Sequence, residues 1–242
     1  MKKYCFILVA LFAMTSSATA GDGGLTKAQG DAILKELREI KQLLAKPQQQ
    51  AQAAPAKPEK LTVKGGAIYV LGKSDAPLTL VAFTDYQCPF CSRFETNTFP
   101  EIKKNFIDTG KVRFILRDLP LDFHPFALKA AQSVRCAGDQ GKYWEMKELV
   151  FKNQSKIDVD SLAEYAKDLA LNGDTFKSCM ADGKHLQEIR DEAKYAQSLG
   201  ITGTPTFVLG KVVGDSVEGR KLVGAQPFAA FEAAINEMLE KR

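Results

Sequence analysis

The sequence of 242 residues is poor in histidine and tryptophan, with two and one respectively. His124 and His185 are the only imidazoles, and there is only one C-x-x-C, so the ligand sets of the common zinc sites are missing. No stretch approaches 18 apolar residues, so the sequence predicts no membrane-spanning helix. The net charge of +4 is small and the basic residues are interspersed with acidic ones, which argues against nucleic acid as a partner. What remains is a globular protein of ordinary composition, long enough to form a real core.

The first twenty residues have the pattern of a cleaved secretory signal. Lys2 and Lys3 form a positive start, residues 4–14 are apolar, and Ala18 and Ala20 stand in the A-x-A spacing. The apolar run is too short to span a bilayer, which favours a signal peptide over an anchor. We expect cleavage after Ala20 and export of the mature chain to the periplasm.

The mature chain has an even number of cysteines. One of the five belongs to the signal segment, which leaves Cys88, Cys91, Cys136 and Cys179. An even count in an exported protein suggests pairing, and four cysteines allow three connectivities. If the close pair Cys88–Cys91 forms, then Cys136–Cys179 is the second bridge. We interpret that bridge as structural, with a second redox pair or free buried thiols as the alternatives.

Residues 25–46 are predicted to form an amphipathic helix apart from the main body. Thr26 and Gln29 have the spacing of a capping box. Four apolar side chains follow the spacing of a heptad seam: Ile33, Leu37, Ile40 and Leu44. A helix with this stripe needs a partner, which is either the body of its own chain or another copy of the helix.

The domain order follows from this helix. We assign residues 21–46 to an oligomerisation helix, in a homodimer or a homotrimer. Pro47 is expected to end it, and residues 47–60, rich in glutamine, alanine and proline, are expected to be a linker without a core. The main body then covers residues 61–242.

The most informative stretch of the body is Cys88-Pro89-Phe90-Cys91. It directly follows the apolar, β-like run 78–83, and residues 92–106 have the pattern of a helix. Cys88 is therefore predicted at a strand-to-helix junction, where unpaired N–H groups and the helix dipole favour a thiolate. A thiolate is the attacking species in thiol–disulfide exchange, so this position predicts a nucleophile.

The rest of the body alternates between strand and helix patterns. We expect strands at 66–71 and 112–116, and helices between 125 and 198. A hairpin is predicted from strands at 206–213 and 217–223 with Gly214-Asp215 as the turn, followed by a helix at 228–240. This order predicts an α/β fold whose sheet is covered on both faces by helices.

Four segments resemble the DsbA-like branch of the thioredoxin fold. In chain order they are Phe83 to Cys91, Arg117-Asp118-Leu119-Pro120-Leu121, His124-Pro125, and Gly200 to Phe207. The resemblance covers about residues 61–240. It implies a thioredoxin-like fold with a helical domain inserted at about 122–199.

The resemblance also implies roles for individual residues. Cys88 is expected to be the exposed attacking cysteine, and Cys91 the more buried cysteine that resolves a mixed disulfide. Pro205 is expected to be cis and to lie beside the C-x-x-C. Thr204 is expected to offer its backbone to an extended substrate strand. For His124, a surface or packing role is expected.

Two residues depart from the family pattern. Pro89-Phe90 is expected to contact substrate and to tune the redox pair. The strongest oxidants of the family carry histidine where this chain has Phe90, so we expect a less oxidising pair here. Many members place a glutamate where this chain has Ala82, and alanine cannot relay a proton to the buried cysteine.

The activity implied by the resemblance is that of a protein disulfide oxidoreductase. Its substrates would be unfolded or misfolded exported proteins, and a membrane redox partner would reset the Cys88–Cys91 pair without a dissolved cofactor or a metal. The direction stays open between an oxidase and an oligomeric isomerase or reductase. The residues themselves also leave open an inert bridge, a cuprous site at Cys88 and Cys91, and a non-enzymatic chaperone.

Overall fold

The computed structural model describes residues 26–50, 59–64 and 69–240, with side chains for all of these except 43–50. The predicted signal segment 1–20 and residues 51–58 of the predicted linker lie outside the described residues. The chain divides into two units, Met1–Ala56 and Lys57–Arg242. In the described part of the chain, no helix combines the length and the apolar character that crossing a membrane requires.

The described residues of the first unit form one long helix, α1 (Lys27–Gln50). The capping box is present, because the Thr26 N–H donates to Gln29 Oε1 at 3.0 Å and the Gln29 N–H donates to Thr26 Oγ1 at 3.4 Å. The prediction that Pro47 ends the helix is wrong, since α1 continues to Gln50. A proline removes one backbone hydrogen bond, and the three glutamines that follow it are good helix formers.

The second unit is built on a six-stranded mixed sheet. The strands are, in chain order, β1 (Lys60–Lys64), β2 (Val70–Leu71), β3 (Leu78–Thr84), β4 (Val112–Asp118), β5 (Thr206–Val213) and β6 (Ser216–Val223). Their order across the sheet is β1-β6-β5-β3-β4-β2. β3 and β4 are parallel, and the other neighbouring strands are antiparallel.

Eight helices accompany the sheet in the described part of this unit. They are α2 (Pro89–Asn97), α3 (Phe99–Ile102), α4 (Ala127–Gly138), α5 (Tyr143–Lys152), α6 (Val159–Asp168), α7 (Gly173–Asp182), α8 (Leu186–Ser198) and α9 (Phe228–Glu240). A π-helical turn at Lys103–Ile107 follows α3, and a 3-10 turn at Gln154–Lys156 follows α5. α4 to α8 lie between β4 and β5 in the chain and form the predicted helical insertion.

Strand β3 separates two hydrophobic cores. All seven of its residues are buried, and successive side chains point to opposite faces of the sheet. Leu80 and Ala82 belong to the larger core, whereas Val81 and Phe83 belong to the smaller one. A strand buried on both faces has a continuous apolar sequence, and that run, not an alternating pattern, predicted the strand.

The sheet follows the predicted elements with local differences. The hairpin of β5 and β6 is confirmed, and its turn contains Gly214 at a φ of +61°, which glycine adopts without strain. The predicted helix at 92–106 instead begins at Pro89 and breaks at Thr98 before α3. Pro100 lies in the first turn of α3, where its missing N–H costs no internal bond.

A disulfide joins Cys136 of α4 to Cys179 of α7 across 43 residues. Closing a loop of this length stabilises the fold by about 4 kcal/mol in the chain-entropy model. Gln132 supports the same junction, since its Nε2 donates to the carbonyl oxygens of Cys179 at 3.1 Å and Met180 at 2.9 Å. The bridge fastens two helices of the insertion to each other.

Candidate active site

The C-x-x-C lies where β3 ends and α2 begins. Cys88 has an extended backbone at the N-cap position of α2, and Pro89 is the first helical residue. The helix is held against the sheet by Phe94, whose ring centroid lies 4.5 Å from that of Phe207 and 5.5 Å from that of Phe231. Cys88 therefore sits in front of the unpaired N–H groups of a firmly packed helix.

Both cysteines are reduced, and they differ in their contacts. The Cys88 thiol donates to the carbonyl oxygen of Thr204 at 3.3 Å, and the Thr204–Pro205 peptide bond is cis. The N–H of Asp85 donates to Cys91 Sγ at 3.5 Å. The fold thus brings Cys88, Cys91, Thr204 and Pro205 together, as the sequence interpretation expected.

Cys88 is less exposed than expected. Only 4% of its surface is accessible, against 0% for Cys91. Cys88 is more accessible than Cys91, in agreement with the expected roles. The prediction that Cys88 is exposed is wrong, because the Thr204–Pro205 segment lies against its sulfur. An attacking group has a narrow approach to Cys88 and none to Cys91.

The pKa values of the two thiols are shifted in opposite directions. The hydrogen bond from the Cys91 thiol contributes most to lowering the pKa of Cys88 from 9.0 to about 5, against the opposing effect of burial. The Thr204 side chain and the N–H groups of Cys91 and Phe90 lower it further. Burial, together with the adjacent Cys88 sulfur, raises the pKa of Cys91 well above its usual value. At neutral pH the structure therefore favours a thiolate on Cys88 and a thiol on Cys91.

The low pKa of Cys88 predicts an unusual pH profile for its alkylation in the reduced chain. We expect the rate with iodoacetamide to be nearly flat between about pH 7 and 8, and to fall about tenfold per pH unit below about pH 5, because only the thiolate reacts. The same shift stabilises the reduced fold most above about pH 9, and this contribution decreases as the pH falls and is gone below about pH 5. Mass spectrometry of the modified peptide measures the rate, with Cys91 as the slow internal control. A midpoint near that of a free thiol would contradict the assignment.

Asp85 is the centre of a hydrogen-bond cluster beside the C-x-x-C. Its Oδ1 accepts from the N–H groups of Gln87 at 2.7 Å and Cys88 at 3.1 Å. Its Oδ2 accepts from the N–H of Leu121 at 2.7 Å and lies 2.8 Å from Nδ1 of His124. Sequence analysis named His124, and included Asp85 only within the segment from Phe83 to Cys91, without joining the two. The two residues are 39 positions apart, so no periodic pattern in the sequence connects them. The clue that the sequence offered was that both lie in segments that resemble the family.

Two glutamines add further bonds around the same turn. Gln87 Oε1 accepts from the N–H of Phe126 at 2.5 Å. Gln154 Nε2 donates to the carbonyl oxygens of Tyr86 at 2.9 Å and Cys88 at 2.8 Å. The loop before α4 and the turn after α5 therefore both hold the segment that carries Cys88.

Two aromatic side chains near the C-x-x-C are exposed. Phe90 is 52% exposed, and the guanidinium carbon of Arg93 lies 4.9 Å from its ring centroid. Phe123 is 75% exposed, directly before His124. Exposed aromatic rings of this size suit contact with another chain, and sequence analysis did not single out Phe123.

One group of potential metal ligands occurs among the described residues. Atoms of Cys136, Cys179 and His185 lie within 4.8 Å of one another. The two sulfurs are bonded to each other, so they are not the thiolates that a metal ion requires. This group is a bridge with a neighbouring imidazole, not a metal centre.

Comparisons with known proteins place this geometry in a family. A family model described as thioredoxin matches residues 64–237. The solved structure of alpha-DsbA1 from Wolbachia pipientis is 30% identical with a TM-score of 0.65, and the match covers 71% of this chain and 90% of that chain. Oxidised BdbD from Bacillus subtilis is 25% identical with a TM-score of 0.62, over 74% of this chain and 98% of that chain.

One of the curated relatives is named as an ion antiporter and not as a thiol–disulfide exchange protein. Na(+)/H(+) antiporter NhaA 1 from Salinispora arenicola is 34% identical over 168 residues, which are 69% of this chain and 24% of that protein. The chain thus spans about a quarter of the length of the curated relatives that it matches.

Proposed function

Because the chain belongs to the thioredoxin family, in its DsbA-like branch, we propose that it is a thiol:disulfide oxidoreductase acting through Cys88 and Cys91. The observation that carries the proposal is the asymmetry of the two sulfurs. Cys88 caps a helix, has a pKa lowered to about 5 and lies 3.3 Å from the Thr204 carbonyl oxygen, whereas Cys91 is fully buried. One sulfur is prepared to attack or to leave as a thiolate, and the other to hold a proton.

In the oxidising direction, the chain accepts two electrons from a substrate dithiol. A substrate thiolate attacks Cys88 Sγ of the Cys88–Cys91 disulfide, and Cys91 leaves and takes up a proton because its pKa is high. A second substrate thiolate then attacks the substrate sulfur of the mixed disulfide. The Cys88 thiolate is released, and the substrate has gained a disulfide.

In the reducing or isomerising direction, the Cys88 thiolate attacks a substrate disulfide. One substrate sulfur leaves as a thiolate and the other is held on Cys88. Either Cys91 or another substrate cysteine then resolves the mixed disulfide. When Cys91 resolves it, the pair ends oxidised and a redox partner must return two electrons.

The reduction potential of the pair tests the proposal. The pKa of Cys88 lies between the values of about 3.5 and 7 known for DsbA and thioredoxin. We therefore expect a pair that equilibrates with glutathione at a potential between about −120 and −270 mV. Trapping the thiols after equilibration in defined glutathione buffers measures this value. A pair that never equilibrates is an inert bridge, and a value at the −120 mV end would overturn our interpretation of Phe90.

Unfolded exported proteins are the substrates that fit this site. Thr204 presents its backbone beside the sulfur, where an extended substrate strand can add hydrogen bonds. Phe90 and Phe123 add exposed aromatic surface. The predicted signal at residues 1–20 supports export to the periplasm, where a membrane protein would exchange electrons with the pair.

Helix α1 supports a finer proposal, in which the chain works as an oligomeric isomerase. Ile33, Leu34, Leu37 and Ile40 are each 45–55% exposed on the helix. Such a stripe on a single helix is stabilised by burial against another copy, through the seam of a homodimer or homotrimer. Several active sites in one particle would suit the rearrangement of misfolded substrates.

A further inference from the structure

We propose that Asp85 and His124 are positioning residues of the redox pair, and that the bond between them fixes the turn that presents Cys88 to substrate. The inference rests on the proposed function, because it concerns the same two sulfurs. Sequence analysis expected a surface or packing role for His124 and singled out no role for Asp85.

The Asp85 carboxylate is fully buried, and its hydrogen bonds join the active-site turn to the loop beside it. Its side chain is 0% exposed. Oδ1 holds the N–H groups of Gln87 and Cys88, and the Asp85 carbonyl oxygen accepts from the same Cys88 N–H at 3.1 Å. The position of the Cys88 backbone therefore depends on where this one side chain is held.

His124 holds the other side of the carboxylate. Its Nδ1 lies 2.8 Å from Asp85 Oδ2, and 17% of its side chain is exposed. Its backbone belongs to two consecutive turns, because its N–H donates to the Leu121 carbonyl and its carbonyl accepts from Ala127 at the start of α4. The imidazole thus links the start of the helical insertion to the turn that carries Cys88.

Loss of the imidazole has two physical consequences for the Cys88 sulfur, and both act in one direction. The turn from Asp85 to Cys88 becomes less fixed, which weakens the hydrogen bonds that a Cys88 thiolate receives. The buried carboxylate also loses the imidazole as a side-chain partner, so its negative charge acts more strongly on a neighbouring thiolate. Each effect destabilises the reduced pair and makes the disulfide less oxidising.

The test compares two replacements of His124 in the full chain. Leucine fills the volume without donating a hydrogen bond, whereas asparagine can place an amide N–H where Nδ1 lies. For His124→Leu we expect an equilibrium constant with glutathione about tenfold less oxidising, which is about 30 mV, and a higher pKa of Cys88 from the absorbance of its thiolate. For His124→Asn we expect most of the wild-type value to return.

A matched control comes from the other histidine. His185 also forms a carboxylate pair, with its Nε2 2.9 Å from Oδ2 of Asp139, beside the Cys136–Cys179 bridge. His185→Leu is expected to leave the glutathione equilibrium unchanged, whatever it does to the melting temperature. If leucine at position 124 prevents folding, His124→Ala provides the same comparison.

Two outcomes would overturn the inference. One is a His124→Leu variant with a lower melting temperature but a wild-type equilibrium constant and Cys88 pKa, which would leave a purely structural role. The other is an equal shift in His185→Leu. Because glutathione replaces the protein substrate, these measurements are independent of whether the chain catalyses disulfide exchange in proteins. A failed catalytic assay would count against the proposed function alone.

Discussion

Replacement of Cys88 by serine is expected to reduce the catalysis of insulin reduction and of scrambled ribonuclease reactivation by at least about a thousandfold. A serine hydroxyl does not ionise at neutral pH and cannot form a disulfide, so the attacking group is lost. Cys88 is also the only one of the two residues with any accessible surface, 4% against 0% for Cys91. Cys91 therefore cannot take over the attack.

The same substitution at Cys91 provides the control. Cys91→Ser keeps the nucleophile and removes the resolving sulfur, so we expect it to accumulate a mixed disulfide with substrate, visible as a covalent adduct on non-reducing gels. Cys88→Ser should form no such adduct. If Cys88→Ser kept its activity, or if the adduct formed on Cys91, the assignment of roles would be wrong.

The Cys88→Ser variant also separates the enzyme from the non-enzymatic alternatives. A chaperone that binds unfolded chains through its apolar surface keeps its ability to suppress aggregation when one sulfur is exchanged for oxygen. A cuprous site would lose copper binding in both single variants, because each supplies one of the two thiolates. An enzyme loses its attacking sulfur in Cys88→Ser and its resolving sulfur in Cys91→Ser, so the two variants differ in what they can still do.

Disruption of the apolar stripe on α1 is expected to convert an oligomer into a monomer. Leu37 and Ile40 are 55% and 51% exposed, and Leu37→Ser/Ile40→Ser removes the apolar side chains that a seam would bury. Deletion of residues 21–59 should likewise yield a monomer. Sedimentation equilibrium measures the change, and we expect isomerase activity to fall with it while glutathione exchange at Cys88 is unchanged.

Two serines on the other face of α1 serve as the matched control. Lys35→Ser/Lys41→Ser introduces the same residues into the same helix and should leave the mass unaltered. A wild-type chain that already sediments as a monomer would refute the oligomer, and so would an apolar-face variant with unchanged mass. Loss of oligomer in both variants would indicate general weakening of the helix rather than a seam.

The parts of the fold that were predicted from the sequence are those with a local signal. β3 is a continuous apolar run between turn residues, and the hairpin of β5 and β6 is marked by Gly214-Asp215. The C-x-x-C and the Thr204-Pro205 dipeptide were found as motifs, and the family resemblance, not the spacing, implied that they meet in space. The structure places them within hydrogen-bonding distance of each other.

The parts that were missed depend on distant partners. β1 is a five-residue edge strand of alternating polarity that pairs with β6, so its strand character comes from a neighbour more than 150 residues away. The predicted strand at 66–71 is described only as β2 (Val70–Leu71), since residues 65–68 lie outside the described part. Asp85 and His124 resemble ordinary loop residues until the fold brings them to 2.8 Å.

Because it contains the Cys136–Cys179 bridge, the protein is itself a substrate for the activity proposed for it. Under the proposed export and signal cleavage, a new copy would reach its compartment with four thiols and without the cross-link that fastens its helical insertion. Under the proposed activity, folded copies can supply that bond to later ones, as they would to any other exported chain. A different oxidant must then form the Cys136–Cys179 bond in the first copies in a cell. Afterwards, the rate at which new copies gain this bond increases with the amount of protein already folded.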